Sequence, residues 1–155
     1  MATTPRDDVA FDEDHLADIA ARMAGVGAGG WVNLVPDLPD DIEVPARGAL
    51  SAIFGARGPV VPMATWTAPA SEKPPRMTFG VEHGSGPRAL ARLEEMGLGL
   101  RPGWRKVQDH PKRGLVVIAP ADETHEEVLW WLLSVCHALT EIELTGRWTA
   151  RVYRA

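Results

Sequence analysis

The side chains best suited to acid–base or metal chemistry in this sequence are five histidines and one cysteine. The sequence contains no C-x-x-C, H-E-x-x-H or H-x-x-E-H motif, which are spacings typical of zinc sites. Cys136 and His137 are adjacent on a predicted helix, where neighbouring side chains diverge by about 100°, so they cannot form a thiol–imidazole pair. The sequence therefore predicts no metal, no cofactor and a buried, structural Cys136. The histidines are His15, His83, His110, His125 and His137.

A larger group of ionisable residues falls near the ends of predicted elements that meet at one edge of the predicted sheet. Histidines, a carboxylate and cations gathered there could bind an anion or transfer protons. The alternative is that these are solvated positions, because strand ends are polar and alternate strands lie about 10 Å apart. This group, called the rim below, consists of His83, Asp109, His110, Lys112, Arg113, His137 and Arg147.

Composition limits the partners that the chain can have. The net charge is −5, and 45% of the residues are apolar. These values are typical of a folded, soluble protein and argue against wholesale binding of phosphate. A local basic stretch leaves a nucleic-acid contact open, with a solvated edge strand and hairpin as the alternative. Its residues are Arg101, Arg105, Lys106, Lys112 and Arg113.

Cysteine usage and the apolar runs predict a cytoplasmic protein. One cysteine cannot form an internal disulfide. The first residues, 1–11, are polar and acidic and lack the apolar core of a signal peptide. The longest near-continuous apolar run, 128–139, is shorter than the ~20 residues of a membrane span. The richness in Ala, Arg, Gly and Pro resembles that of chains from high-GC bacteria.

The first element that could position these side chains is a helix over residues 12–24. Asp12 is a suitable N-cap, apolar residues recur at i, i+3, i+4 and i+7, and Gly25 ends the helix. Residues 25–30 match G-x-G-x-x-G, but they follow a helix and precede a predicted strand at 31–35. A dinucleotide site requires the reverse order, so we interpret this stretch as a helix cap and turn.

The next segment is punctuated by prolines and is harder to interpret. Residues 36–59 are predicted to form an acidic loop with a short helix near 46–54. A strand follows near 60–67, and Pro62 restricts it to a sheet edge or a bulge because proline cannot donate to a ladder.

The second half of the chain predicts a β-α-β-β-α-β order over about 77–153. This order is the ferredoxin-like arrangement, so the predicted fold class is α+β with a ferredoxin-like core. The predicted elements are a strand at 77–81, a helix at 85–96, an edge strand at 104–109, a strand at 115–119, a helix at 122–140 and a strand at 148–152.

The chain is expected to form one domain of 155 residues. Residues 1–11 would be a flexible tail, 12–76 a helix and covering segment, and 77–155 the core. The strand at 115–119 is apolar on both faces, which predicts that both faces of the sheet are covered. Because the two core helices cover one face, the 12–24 helix and the 31–67 segment are the expected cover for the other.

Residues 77–133 contain a helix ending in Met96-Gly97-Leu98, a strand ending in Gln108-Asp109, a hairpin, and an apolar strand ending in Ile118-Ala119-Pro120 before a helix. In these features the segment resembles the C-terminal part of the peptidyl-tRNA hydrolase 2 family. The resemblance implies a small enzyme. The N-terminal strand and the Gly/Lys-rich catalytic segment of that family have no counterpart here, so no catalytic residue is carried over.

Two adjacent tryptophans on the 122–140 helix predict an interface. Trp130 falls about 160° from Leu132, the centre of the apolar stripe, and Trp131 lies on its flank. An indole on a polar helix face needs a cover, because it offers on the order of 200 Å² to bury. Either the 31–67 segment wraps this helix, or a second copy packs on it about a two-fold axis.

These observations predict a non-catalytic binding or accessory domain that acts through self-association, as a homodimer, or through a protein partner. The absence of a catalytic motif and the tryptophan content support this interpretation. The alternative is a small enzyme, or an anion- or nucleotide-binding domain, that uses the rim and is similar to the peptidyl-tRNA hydrolase 2 family.

Overall fold

Alternation of apolar and polar residues builds most of the described chain into strands. The structure is a computed structural model and describes residues 6–41 and 58–154. Within these ranges it has seven strands and three helices, which confirms the α+β class. The elements are β1 (Arg6–Asp12), α1 (Ala17–Ala24), β2 (Trp31–Pro36), β3 (Met63–Thr67), β4 (Arg76–Glu82), α2 (Ala89–Glu95), β5 (Arg105–His110), β6 (Gly114–Pro120), α3 (His125–Leu139) and β7 (Arg147–Tyr153).

All of these strands form one antiparallel sheet in the order β1-β7-β2-β3-β4-β6-β5. The predicted β-α-β-β-α-β segment corresponds to β4-α2-β5-β6-α3-β7, and β5 is the edge strand that its charges predicted. In a ferredoxin-like core, however, β7 would lie directly beside β4. Here β2 pairs with β7 and β3 pairs with β4, so these two strands separate them. The predicted ferredoxin-like core is therefore not confirmed.

The N-terminal region differs from its prediction. Residues 6–11, expected within a flexible tail, belong to β1 and pair along their whole length with β7. The first helix begins at Ala17 instead of Asp12. Asp12 ends β1, and its carboxylate accepts the amide N–H of Asp14 at 2.9 Å, so it caps a turn before the helix.

The two faces of the sheet have different cover. One face is apolar, and its side chains lie in register across the strands, as in the row Val152, Val32, Trp66, Phe79 and Val117. Helix α3 packs on this face, and α1 and α2 pack against α3 on the same side. We call this the covered face.

The opposite face, called the open face, carries none of the three described helices. The prediction that the 12–24 helix covers it is wrong, because α1 lies on the covered face. Of the 31–67 segment, β2 and β3 belong to the sheet itself, and residues 42–57 lie outside the described residues. Among the described residues, helices therefore cover strand β6 on one side. The half-buried residues of the open face are Trp31, Asn33, Val35, Met63, Thr65, Thr67, Arg76, Thr78, Gly80, Val116, Ile118, Thr149, Arg151 and Tyr153.

Two predictions concern residues on which the structure gives little or nothing. The short helix near 46–54 and the first five residues of the expected tail lie outside the described residues. Strand β3 begins at Met63, just after Pro62, which agrees with the restriction that proline places on a ladder. In the described parts of the chain, no helix is long and apolar enough to cross a membrane.

Candidate functional site

The rim divides into two groups in the structure. His83 directly follows β4, and β4 pairs with β6 beside the β5–β6 turn, which places five rim residues at one corner of the sheet. Arg147 begins β7 at the same edge, but β2 and β3 lie between β7 and β4. Three strand spacings amount to about 14 Å, so the groups are separate. The His83 corner contains His83, Asp109, His110, Lys112 and Arg113; the His137 corner contains His137 and Arg147.

The imidazole of His83 is completely buried. Its Nδ1 accepts the amide N–H of Ser85 at 3.2 Å and faces the Ser85 hydroxyl at 2.8 Å. Because Nδ1 is an acceptor, the neutral ring carries its proton on Nε2, which has no hydrogen-bond partner in the described parts of the chain. Burial lowers the pKa of His83, as does the neighbouring Arg92, while Asp109 opposes the shift.

A hydroxyl beside an imidazole is the arrangement of an activated serine, so the Ser85–His83 contact needs a chemical test. Arg92 Nη2 donates to Ser85 Oγ at 3.0 Å and also to the carbonyls of residues 86–87. The hydroxyl is thus held from two sides, and the ring that would take its proton has no exposed surface. These contacts fix the loop before α2 and do not present a nucleophile to a substrate.

Asp109 and His110 also have structural partners. The carboxylate of Asp109 accepts the backbone N–H groups of residues 89–90, at 3.2 and 2.9 Å, and so fixes the beginning of α2. His110 Nδ1 accepts the N–H groups of Lys112 and Arg113, each at 3.1 Å, and closes the β5–β6 turn. The side chains of Lys112 and Arg113 are exposed at this turn.

The basic stretch does not form one surface. Arg101 pairs with Glu127 on α3 at 3.0 Å, and its guanidinium lies 5.8 Å from the Trp104 ring centre. Arg105 pairs in register with Ile118 and therefore belongs to the open face. Residues 112–113 lie at the hairpin turn. The positive charges consequently face in different directions, which disfavours one continuous contact with a nucleic acid.

At the His137 corner, a carboxylate joins two elements. Glu13 Oε2 accepts the indole N–H of Trp148 at 3.0 Å and contacts His137 Nε2 at 2.8 Å. This contact links α3 to the turn after β1. The side chain of Arg147 is exposed at the same edge but on the open face, so it does not meet His137, whose helix lies on the covered face.

The two predicted interface tryptophans have opposite environments. Trp131 is 1% exposed and donates its indole N–H to the Leu98 carbonyl at 3.0 Å. Its ring packs edge to face against Phe79 and Trp104. The prediction that Trp131 lies at an interface is wrong, because the segment after α2 packs on α3 and widens its buried arc. Trp130 is 51% exposed.

Shallow clefts lie on both sides of Trp130. Both are formed by α3 and the turn that precedes α1. Both share Glu13, Asp14 and Leu16 besides Trp130. One is completed by Leu133, Ser134 and His137, and the other by Arg101, Glu126 and Glu127.

The sequence interpretation missed a cationic position on the open face. Arg151 lies on β7 between Ala150 and Val152, which both face the covered side. Its Nε atom is buried and has no hydrogen-bond partner among the described residues. Trp31 and Tyr153 stack beside it, with ring centres 4.7 Å apart. An arginine at an outward position of an interior strand was the signal that could have identified it.

Metal and thiol chemistry find little support in the described residues. Cys136 is buried as predicted, and burial raises the pKa of its thiol. Within residues 6–41 and 58–154, no cluster of three or more His, Cys, Asp or Glu side chains could hold a metal ion. Comparisons with protein-family models, curated proteins and solved structures find no match for this chain.

Proposed function

We propose that this chain is a non-catalytic binding domain that acts by self-association, with Trp130 at the centre of the interface. The observation that carries the proposal is the exposed indole on the outer side of α3, with a cleft on each side of it. Most large apolar side chains of the described chain are buried in the core, so an indole that is 51% exposed on a long helix is unusual.

The alternative cover for Trp130, a wrapping 31–67 segment, finds no support among the described residues. Its strands β2 and β3 are interior strands of the sheet, and residues 42–57 lie outside the described residues. A second copy is the cover that we propose. In a two-fold contact, the same surface serves both copies, so each Trp130 could enter the cleft of the other beside Leu16 and Leu133.

The energetics of such a contact are favourable but modest. Half of an indole side chain amounts to about 100 Å² of apolar surface, which corresponds to about 2.5 kcal/mol per copy when buried. Both copies and the aliphatic cleft walls contribute. We therefore expect dimerisation to depend strongly on Trp130.

Sedimentation equilibrium of the full chain tests this proposal. Trp130→Glu should convert a dimer into a monomer, because a carboxylate would be buried in an apolar cleft. Met96→Glu and Val107→Glu are matched controls, since these side chains are 53% and 59% exposed elsewhere on the surface, and both variants should remain dimeric. A wild-type chain that is monomeric at high micromolar concentration would contradict the proposal.

The second candidate, an enzyme that acts through the rim, has the 2.8 Å Ser85–His83 contact as its specific support. A fluorophosphonate probe reacts with activated serines, so labelling of Ser85 would favour it. The buried imidazole and the hydrogen bond from Arg92 lead us to expect no labelling.

A further inference from the structure

A cleft on the open face lies at the end of the sheet where β4 and β5 begin and β6 ends. Arg76 and Arg105 both line it, and we call it the two-arginine cleft. Arg76 on β4 pairs in register with Pro120 on β6, and Arg105 on β5 pairs with Ile118. The cleft lies on the other side of the sheet from α3 and Trp130, so it is independent of the proposed self-association.

The two-arginine cleft carries two positive charges that no described residue balances. None of the described residues that line it is acidic. Neither Arg76 nor Arg105 forms an ion pair or a side-chain hydrogen bond within the described parts of the chain, whereas Arg101 and Arg154 pair with carboxylates. Arg76 is also half-buried. A partly desolvated guanidinium without an acceptor is unfavourable, and an anion in the cleft would supply that acceptor.

Both guanidinium groups can reach one anion from opposite sides. Strand β6 lies between β4 and β5, so the backbones that carry Arg76 and Arg105 are two strand spacings apart, or about 10 Å. The lining between them is uncharged, since β6 contributes Ile118, Ala119 and Pro120. Arg105 is exposed, so the cleft is accessible to a ligand from solvent.

The rest of the cleft is apolar, and the backbone fixes its walls. Pro74 and Pro75 form one wall, and the Pro75 carbonyl accepts the Ala121 N–H at 3.3 Å, which holds this wall against the end of β6. Gly103 lines the cleft with a φ of 85°, which side chains disfavour, so no side chain closes the cleft there. The organic part of a ligand can bury apolar surface against the proline rings.

From this arrangement we infer that the two-arginine cleft binds a phosphomonoester, with Arg76 and Arg105 on the phosphate and the organic group against the prolines. Two guanidinium groups balance the two charges of a phosphate dianion, and their N–H forks match its oxygens. A carboxylate or a sulfate ester carries one charge and would leave one guanidinium unbalanced. The other cations of the basic stretch face in other directions, which favours a small ligand over a nucleic acid.

Calorimetric titration of the full chain with phenyl phosphate, combined with amide NMR, tests the inference. At about pH 7.5 the ester is a dianion, because its second ionisation lies near pH 6. We expect saturable binding, with shifts centred on Arg76, Gly103, Arg105 and Ile118. Phenyl sulfate has the same ring but one charge, and it should bind at least fivefold more weakly. Inorganic phosphate lacks the ring and should bind at least threefold more weakly.

Each arginine is tested by removal of its charge. Arg76→Gln and Arg105→Gln should each weaken the affinity for phenyl phosphate at least fivefold. Lys106→Gln is the matched control, because Lys106 follows Arg105 on β5 but pairs in register with Val117, whose side chain is buried on the covered face. This variant removes the same charge from the other side of the strand and should leave the affinity within twofold of wild type.

If Arg76→Gln does not give a folded NMR spectrum, Arg76→Lys takes its place. An ammonium cannot form two parallel hydrogen bonds to the phosphate, so this variant should weaken the affinity at least threefold. No saturable binding of phenyl phosphate, equal affinity for phenyl sulfate or for inorganic phosphate, or an equal loss in Lys106→Gln would each overturn the inference. A wild-type chain that binds phenyl phosphate but is monomeric would contradict the proposed function alone.

Discussion

The two faces of the sheet are built from the same strands and have opposite characters. On the covered face, inward positions are apolar and nearly inaccessible, and three helices of the described chain close over them. On the open face, aromatic, hydroxyl and amide side chains surround Arg151, whose Nε has no described partner. Strand alternation thus divides each segment into one set of residues that is buried in the core and another that is half-buried on the opposite face.

The largest expected effect comes from truncating an aromatic residue of the covered face. Trp131→Ala should lower the free energy of unfolding by about 3–5 kcal/mol, because it leaves a cavity between Phe79 and Trp104. Trp31→Ala on the open face is the matched substitution and should cost only about 0.5–1.5 kcal/mol, through the lost stack with Tyr153. Urea unfolding measures the free energy of unfolding of both variants. Similar losses in the two would contradict the inference that the covered face stabilises the fold more than the open face does.

A smaller effect is expected at the His83 corner. Asp109→Ala removes the acceptor for the first N–H groups of α2 and should cost about 1–2 kcal/mol. Asp8→Ala on the open face removes an exposed pair with Arg6 and should change stability by less than about 0.5 kcal/mol. An equal loss in the free energy of unfolding of the two variants would mean that the open-face charge stabilises the fold as much as the rim charge does.

The pH dependence of stability sharpens the comparison further. Protonation of His83 at Nδ1 would break its hydrogen bond from the Ser85 amide N–H, and burial together with Arg92 lowers the pKa of His83 in the folded chain. The folded state then binds fewer protons than the unfolded state below about pH 6.5. The free energy of unfolding should be constant above that pH and should fall as the pH falls toward the lowered pKa.

Urea unfolding of His83→Gln over the same pH range gives the check. The free energy of unfolding of the variant should fall less than that of wild type as the pH is lowered. A remaining loss is expected from His125, whose pKa burial also lowers. If the free energy of unfolding of His83→Gln changed with pH as steeply as that of wild type, the neutral His83 imidazole would not be the source of the pH dependence.

Local sequence signals predicted the elements of the second half better than their arrangement. Alternation, capping and Gly97 located β4, α2, β5, β6, α3 and β7 to within a few residues. The insertion of β2 and β3 between β7 and β4 was not predictable in this way, because strand pairing depends on contacts between distant segments. Asp12 was mistaken for a helix cap because a carboxylate can cap a turn as well as a helix.

The candidate sites show the same limit. The structure brings His83, Asp109 and the β5–β6 turn to one corner through the antiparallel pairing of β4 with β6, but the sequence could not show that the polar atoms of Asp109 and His110 are used by backbone N–H groups. The open face was missed because the apolar residues of β6 suggested cover on both sides. Val116 and Ile118 are half-buried there.

The free energy of unfolding of Arg151→Met tests the central claim most directly. If the open face contributes little to stability, removal of a charged donor that is buried without a described acceptor should leave stability within about 0.5 kcal/mol of wild type or raise it. Urea unfolding of the ligand-free chain provides the value. A loss above about 1 kcal/mol would contradict the account, because Arg151 would then be a structural residue.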